Sequence, residues 1–291
     1  MTATPRGTLC LTVDNLGNAM AVGRHRAARP DRAERSLRVG VPALLDLFAE
    51  FHLQATFFVE GWNALHYADV LGRIAADGHE IGLHGWLHEY WAADLDDRTR
   101  EQLLWDGTAA LRLAGFDPKS FRAPGGYRDS RTPEILGDLG YRVDSSIEKG
   151  EGGEKFVPEL TMLPGRILSI PWSFDMVDYW NYIVPPDDPQ NPVRVAERWI
   201  EKIAAAAARG GLVTLILHPF VSGVDPARMT ALRQVLAYSA ANPDIEIRSA
   251  RQLADAHPAG LLPESPAPPI SLRGDMIDNY NALGDQPISR A

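Results

Sequence analysis

Four polar residues of this chain each follow an apolar segment, at the point where a buried strand would end: Asp14, His84, Arg122 and His218. The carboxyl ends of parallel strands in α/β proteins converge on one edge of the sheet, where such proteins place their sites. We therefore expect these four side chains to share one cavity. A carboxylate, an arginine and imidazoles can together activate water and protonate a leaving group, which is the chemistry of hydrolysis.

His84 and His88 are four residues apart in the segment His84-Gly85-Trp86-Leu87-His88. On a helical turn this spacing places both imidazoles on one face, so both can bind one ion. Such a pair in an aromatic segment is by itself more often structural, but its position after a strand favours metal ligands. Cys10 is the only cysteine, which excludes an intramolecular disulfide and a thiolate metal cluster.

Asp14 follows apolar residues, and a buried carboxylate without a partner is costly. It therefore needs a cation or a catalytic role. Arg122 is the natural protein partner, and a fixed Arg–Asp pair is the structural alternative. His218 follows Leu215-Ile216-Leu217 and could be a hydrogen-bonded core histidine, but Pro219 ends the strand and directs the ring to the rim.

Strand and helix patterns alternate along the chain. Strands are predicted at residues 8–13, 55–59, 80–84, up to 122, 142–146, 168–172, 212–217 and 245–247, and helices near residues 41–51, 64–76, 98–114, 133–139, 194–209 and 226–240. Repeated βα units predict a largely parallel sheet, either open or closed into a barrel. A length of 291 residues with 45% hydrophobic content fits one catalytic domain.

Two segments fall outside this alternation. Residues 17–38 are rich in Arg and Ala and could form an active-site lid or a solvated surface loop. The tail, residues 258–291, is rich in proline and could embrace a second subunit in a homo-oligomer or extend loosely. We therefore predict a catalytic domain over residues 1–257 and a C-terminal extension over residues 258–291.

The charge pattern argues against nucleic acid as a partner. The net charge is −9, and no Lys/Arg run is present that could neutralise a row of phosphates. The N-terminal apolar stretch is too short to span a membrane and is not shaped like a signal peptide. We expect a cytoplasmic protein without a membrane span.

The motifs and their order resemble the polysaccharide deacetylases that carry the NodB homology domain, carbohydrate esterase family 4. The similar segments are Thr12-Val13-Asp14-Asn15, His84 to His88, Arg122-Ala123-Pro124-Gly125-Gly126 and Leu215-Ile216-Leu217-His218. The resemblance covers roughly residues 9–256 and is nearest the intracellular peptidoglycan-deacetylase-like, imidase-like and amino-sugar-deformylase-like branches. It implies an α/β fold, a single-domain distorted (β/α) barrel of about seven strands. It also implies a divalent metal, commonly zinc, bound by an Asp and two His.

The first motif departs from the family pattern of two adjacent aspartates, because Asn15 stands where the metal-binding aspartate is expected. An amide oxygen is a weaker, uncharged ligand. In an alternative Asp-x-Asp register Leu16 takes the second position, and Asp14 is then itself the ligand beside His84 and His88. The base is in that case open among Glu89, Asp175 and Asp178, and dependence on metal is open as well.

The resemblance and the chemistry of amide hydrolysis imply a role for each remaining group. Asp14 would accept the proton of the attacking water, Arg122 would hold its carboxylate, and His218 would protonate the leaving nitrogen. The backbone N–H of Gly125 would stabilise the oxyanion. Aromatic side chains near strand ends could stack on the substrate, with Trp86 and Tyr179 as the predicted contacts.

The leading interpretation is a hydrolase of non-peptide carbon–nitrogen bonds that deacetylates or deformylates an N-acylated amino sugar or a similar small amide. The alternative is an allantoinase-like hydrolase of a cyclic imide or ureide, with or without metal. A third class is a non-catalytic binding barrel in which Asn15 marks the loss of the site. Either enzyme would take a small-molecule amide as its substrate.

Overall fold

The computed structural model describes residues 7–91, 95–150, 153–155, 157–184 and 190–257. Twelve strands are present among these residues: β1 (Gly7–Asp14), β2 (Thr56–Val59), β3 (Glu80–Leu83), β4 (Ser120–Phe121), β5 (Tyr127–Arg128), β6 (Val143–Asp144), β7 (Ile147–Gly150), β8 (Gly153–Lys155), β9 (Thr161–Leu163), β10 (Ile167–Ser169), β11 (Leu212–Leu217) and β12 (Ile245–Arg248). The predicted tail, residues 258–291, lies outside the described residues.

Seven of these strands form a parallel sheet in the order β11-β1-β2-β3-β4-β6-β10. Strand β9 adds antiparallel to β10, β12 pairs parallel with β1, and β5, β7 and β8 form a small second sheet. The sheet curls into a half-barrel, and Val177, which follows β10 in the chain, forms an isolated parallel bridge with Ile216 of β11. The predicted α/β barrel of about seven strands is confirmed.

Ten helices surround the sheet in the described part of the chain: α1 (Ala19–Gly23), α2 (Val41–Glu50), α3 (Gly61–His66), α4 (Ala68–Ala76), α5 (Asp97–Leu113), α6 (Thr132–Asp138), α7 (Asp178–Tyr182), α8 (Pro192–Arg209), α9 (Pro226–Ala241) and α10 (Ala250–Ala256). None of these described helices is long and apolar enough to cross a membrane.

Local sequence signals set the helix boundaries. The side chain of Asn191 accepts a hydrogen bond from the Val193 N–H at the start of α8, and Gly210 takes the left-handed conformation after its last residue. Ser249 and Gln252 form a capping box on α10. The single helix predicted over residues 64–76 is instead two, α3 and α4, with Tyr67 between them in a non-helical conformation.

Strand β1 is the central element of the sheet, and its burial follows from its apolar sequence. Its residues pair with β2 on one side, with Thr12 opposite Thr56, and with β11 on the other, with Val13 opposite Leu217. All neighbouring strands run in the same direction, so their carboxyl ends meet at one rim. This rim holds the polar residues that the sequence placed at strand ends.

Candidate active site

Asp14 and Arg122 form a buried ion pair at the rim. Arg122 Nη1 donates to Asp14 Oδ1 at 2.7 Å, and the two side chains are 1% and 6% exposed. The guanidinium also donates to Thr12 Oγ1 and to the backbone oxygen and hydroxyl of Ser145, at 2.7–3.0 Å. Four of its five N–H groups are therefore engaged, which fixes both Arg122 and the Asp14 carboxylate in place.

The two histidines lie together on the next part of the rim. The His84 and His88 ring centroids are 5.0 Å apart. His84 Nδ1 lies 2.8 Å from the backbone oxygen of Arg122, to which it can donate, and this leaves Nε2 free as a ligand. His88 has a φ of 63°, a strained conformation for a residue with a side chain, of the kind that clusters at functional sites.

The carboxylate of Glu60, the residue directly after β2, lies close to these two histidines. One ligand atom from each of Glu60, His84 and His88 lies within 4.8 Å of the others. Among the described residues, Asp14 is not part of this cluster. The structure thus brings together the predicted histidines but not the predicted third ligand, because the Asp14 carboxylate is turned to Arg122.

This cluster fits a divalent metal ion. Glu60 is fully buried, and its Oε1 atom has no hydrogen-bond partner among the described residues. A buried carboxylate oxygen without a donor is costly unless a cation faces it. Two imidazoles and one carboxylate are a known donor set for zinc in catalytic sites, and they leave a fourth position for water or substrate.

The protonation states of His84, His88 and Glu60 are consistent with a bound metal ion. Burial lowers the pKa of His84 to about 3. Burial, aided by the neighbouring His84, also lowers the pKa of His88 well below its usual value. Both imidazoles are therefore neutral at pH 7, the form that binds a metal. Burial raises the pKa of Glu60 well above its usual value, so a nearby cation is needed to keep it ionised.

His218 is held at the opposite side of the rim by Asp178. The distance from His218 Nδ1 to Asp178 Oδ1 is 2.6 Å, and Asp178 Oδ2 accepts from the His218 N–H and from the Ser222 hydroxyl. Burial by itself would lower the pKa of His218, but the Asp178 carboxylate outweighs it and the net pKa is raised. The imidazole therefore keeps a proton above the usual range, as a general acid requires.

Asp14, Arg122, His84, His88 and His218 line one cavity of about 350 Å³, whereas Glu60 and Asp178 lie outside its lining. Gly125 and Tyr179, predicted to contact substrate, both lie in its wall, as do Met20 and Arg24 from the segment 17–38. Segment 17–38 was predicted to be a loop, but it contains the short helix α1. Trp86 does not line this cavity. It is 1% exposed within the core, so the prediction that it contacts substrate is not supported.

Comparison with known proteins shows which family has this sequence and fold. The sequence profile of the family described as polysaccharide deacetylase matches residues 4–143. The chain is 31% identical over 176 residues to a chitin deacetylase of Colletotrichum lindemuthianum, a match that covers 58% of this chain and 70% of that protein. The chain belongs to the polysaccharide deacetylase family. The predicted family resemblance is confirmed.

Other family members show how far the similarity extends. A peptidoglycan deacetylase of Helicobacter pylori is 28% identical over 158 residues, which is 53% of this chain and 53% of that one. A solved structure assigned as a polysaccharide deacetylase from Mycobacterium smegmatis has a TM-score of 0.74 and 29% identity, and covers 92% of this chain and 96% of its own. The chain spans 53%, 31% and 34% of the length of the first three curated relatives.

The fold is also shared with an allantoinase. Its structure has a TM-score of 0.69 at 18% identity and covers 87% of this chain and 92% of its own. At this identity the likeness concerns the fold alone.

The roles of two residues, Glu60 beside the histidines and Asp178 beside His218, were not predicted from the sequence. Glu60 follows a buried strand directly, as Asp14 and His84 do, so the strand-end argument applied to residues 55–59 would have found it. Asp178 was considered only as a base. Its role beside His218 depends on a contact across 40 residues of sequence, for which the local sequence offers no signal.

Proposed function

We propose that this polysaccharide deacetylase family member hydrolyses the amide bond of an N-acetylated amino sugar, with assistance from a divalent metal. The observation that carries the proposal is the convergence of three groups on one cavity, which is lined by the Asp14–Arg122 pair, by His84 and His88, and by His218. Glu60 lies beside the two histidines and Asp178 beside His218, both outside the lining. The three groups correspond to a base, a metal site and an acid, which amide hydrolysis requires.

The reaction begins with attack of water on the acetyl carbonyl. A metal ion bound by His84 and His88 would polarise the carbonyl and lower the pKa of water. Asp14 accepts the proton of the attacking water. Its Oδ1 is held by Arg122, which leaves Oδ2 for this role. The guanidinium fixes the carboxylate in orientation.

Collapse of the tetrahedral intermediate breaks the carbon–nitrogen bond and yields acetate and a free amine. The nitrogen needs a proton as it leaves, and His218 Nε2 supplies it, because Nδ1 is engaged by Asp178. The backbone N–H of Gly125, in the wall of the cavity, stabilises the oxyanion. Tyr179, whose ring centroid lies 5.8 Å from that of His218, forms part of the surface on which the sugar packs.

The test is release of acyl groups from defined substrates by purified protein. We expect acetate from N-acetylglucosamine oligomers or peptidoglycan fragments, and loss of turnover in Asp14→Asn with retained binding of substrate. N-formylated amino sugars, assayed in parallel, distinguish deformylation from deacetylation. No turnover of any of these sugars would overturn the proposal.

A second candidate, hydrolysis of a cyclic imide or ureide, is favoured by the small cavity and by Asn15 in the first motif. Hydantoin, dihydrouracil and allantoin are the test substrates. Turnover of these rings by chelator-treated protein, without turnover of amino sugars, would establish this alternative. Ligand binding without any turnover would instead identify the non-catalytic barrel.

A further inference from the structure

We infer that Glu60 is the anionic ligand of the metal site and takes over the charge that is missing at Asn15, which leaves Asp14 to act on water. The inference concerns the metal site of the proposed function and rests on it for the role of Asp14. Metal binding by Glu60 itself is independent of turnover.

The position of Glu60 in the sheet brings it to the histidines. Strand β2 lies between β1 and β3, so the residue after β2 adjoins His84 more closely than any residue after β1 does. The His84 N–H donates to the oxygen of Val59, the residue before Glu60, at 2.8 Å. The Asn15 N–H in turn donates to the oxygen of Phe58 at 3.1 Å. The three positions are therefore adjacent along the rim, with Glu60 in the middle.

The segments that carry the ligands are also fastened to one another. The N–H groups of Gly61 and Trp62 donate to the backbone oxygens of Gly85 and Trp86, at 2.9 and 3.2 Å. The Glu89 carboxylate accepts from the N–H groups of Trp86 and Leu87 and so fixes the turn that leads to His88. The spacing between Glu60 and the two histidines is thus set by the backbone.

One oxygen of the Glu60 carboxylate accepts a hydrogen bond, and the other accepts none from the described residues. Asn63 Nδ2 donates to Oε2 at 2.6 Å and also to the backbone oxygen of Leu16. Oε1 is buried and has no partner among the described residues. Ligand atoms of one tetrahedral zinc lie about 3.4 Å apart, so atoms within 4.8 Å of one another need shifts of less than about 1 Å each.

The charge balance favours the same assignment. Two neutral imidazoles and the Asn15 amide would give the ion no negative ligand. Asp14 already pairs with Arg122 through Oδ1, and it is not part of the cluster of ligand atoms around His84 and His88. With Glu60 as ligand, both buried carboxylates have a cationic partner.

The experiment measures zinc binding to chelator-treated full-length protein by calorimetry, with the visible spectrum of the cobalt-loaded protein as a second readout. Wild-type protein is compared with Glu60→Gln, Asn15→Asp and the double variant. We expect Glu60→Gln to lose at least about 100-fold in zinc affinity, since even indirect partners of metal ligands contribute 10–100-fold. Asn15→Asp is expected to restore part of this loss in the double variant.

Thermal unfolding separates a ligand from a structural residue. Glutamine keeps the shape of Glu60 and replaces a buried group that can ionise with a neutral amide, so the metal-free variant should unfold close to the wild-type temperature. Zinc should raise that temperature in wild type and much less in Glu60→Gln. Glu80→Gln is the control, because Glu80 is also buried but is satisfied by Thr56 and Ser120.

Unchanged zinc affinity and an unchanged cobalt spectrum in Glu60→Gln would overturn the inference while the proposed function stands. Absence of metal binding in wild type would overturn it as well. If Glu60-dependent zinc binding is found but no amide is turned over, the inference holds and the proposed function fails.

Discussion

His218 Nδ1 lies 2.6 Å from Oδ1 of Asp178, a residue that is fully buried and also accepts from the Ser222 hydroxyl. The imidazole is therefore fixed in one orientation, with a proton on Nδ1. This contact ties the first residue of α7 to the end of β11. It makes the protonation of His218 depend on a residue that does not line the cavity.

The Asp178→Asn substitution should shift the pH dependence of activity. Asp178 raises the pKa of His218, and activity falls as pH rises through that pKa because the acid is lost. Without the carboxylate the pKa falls, so the alkaline limb of the kcat/KM profile should move to lower pH. The control is Asp175→Asn, since Asp175 is exposed and pairs with Lys202. An unmoved alkaline limb in Asp178→Asn would show that His218 is not the acid.

Arg122→Ala should both destabilise the protein and abolish activity. It leaves the Asp14 carboxylate buried without a partner, at a cost of about 3–5 kcal/mol in the free energy of unfolding. Urea unfolding measures this cost. Arg128→Ala is the matched control, because Arg128 pairs with the buried Asp144 away from the cavity at 2.7 Å. It should cost similar stability but leave the folded fraction active. Activity retained in Arg122→Ala would contradict the role given to Arg122.

Two adjacent glycines of the third motif should differ in their tolerance of alanine. A Cβ at Gly126 would lie 2.2 Å from the Trp172 ring, whereas one at Gly125 would meet Tyr90 at an ordinary 3.4 Å. Both have positive φ, which costs about 1–2 kcal/mol for alanine. Gly126→Ala should therefore lose clearly more stability than Gly125→Ala in thermal unfolding. Equal losses would mean that Trp172 moves aside freely.

Cys10 should not react with thiol reagents in the folded protein. It is fully buried in β1, and burial raises its pKa to about 12. The thiolate, which is the reactive form, is then scarce at pH 8. Labelling with a disulfide reagent should proceed only as fast as the protein opens, and should accelerate in urea. Fast labelling under native conditions would reveal local opening of the sheet.

The sequence allowed the prediction of the elements with strong apolar patterns. Strand β11 and helix α8 were found within two residues of their observed ends because their patterns are long and regular. Strand β5, which was not predicted, has only two residues, too few to show a period of two. The break at Tyr67 between α3 and α4 has no Gly or Pro to mark it, and so was missed.

At the site, single residues after strands were predictable and contacts between distant segments were not. The strand-end rule identified Asp14, His84 and His218. It could not show that Arg122 turns the Asp14 carboxylate away from the histidines, because that depends on how the barrel curls. The third ligand was expected from the first motif by family resemblance, whereas the structure places Glu60 of the neighbouring strand there.

Strand β1 also has a consequence for the order of folding. It precedes every other described strand, yet two of its three neighbours, β11 and β12, come more than 190 residues later. Pairings this distant in sequence close slowly, and until then the apolar edge of β1 is open to wrong partners. We expect fragments that end before Leu212 to aggregate or bind chaperones. The strand that carries Asp14 is paired on both sides only when these last strands are made.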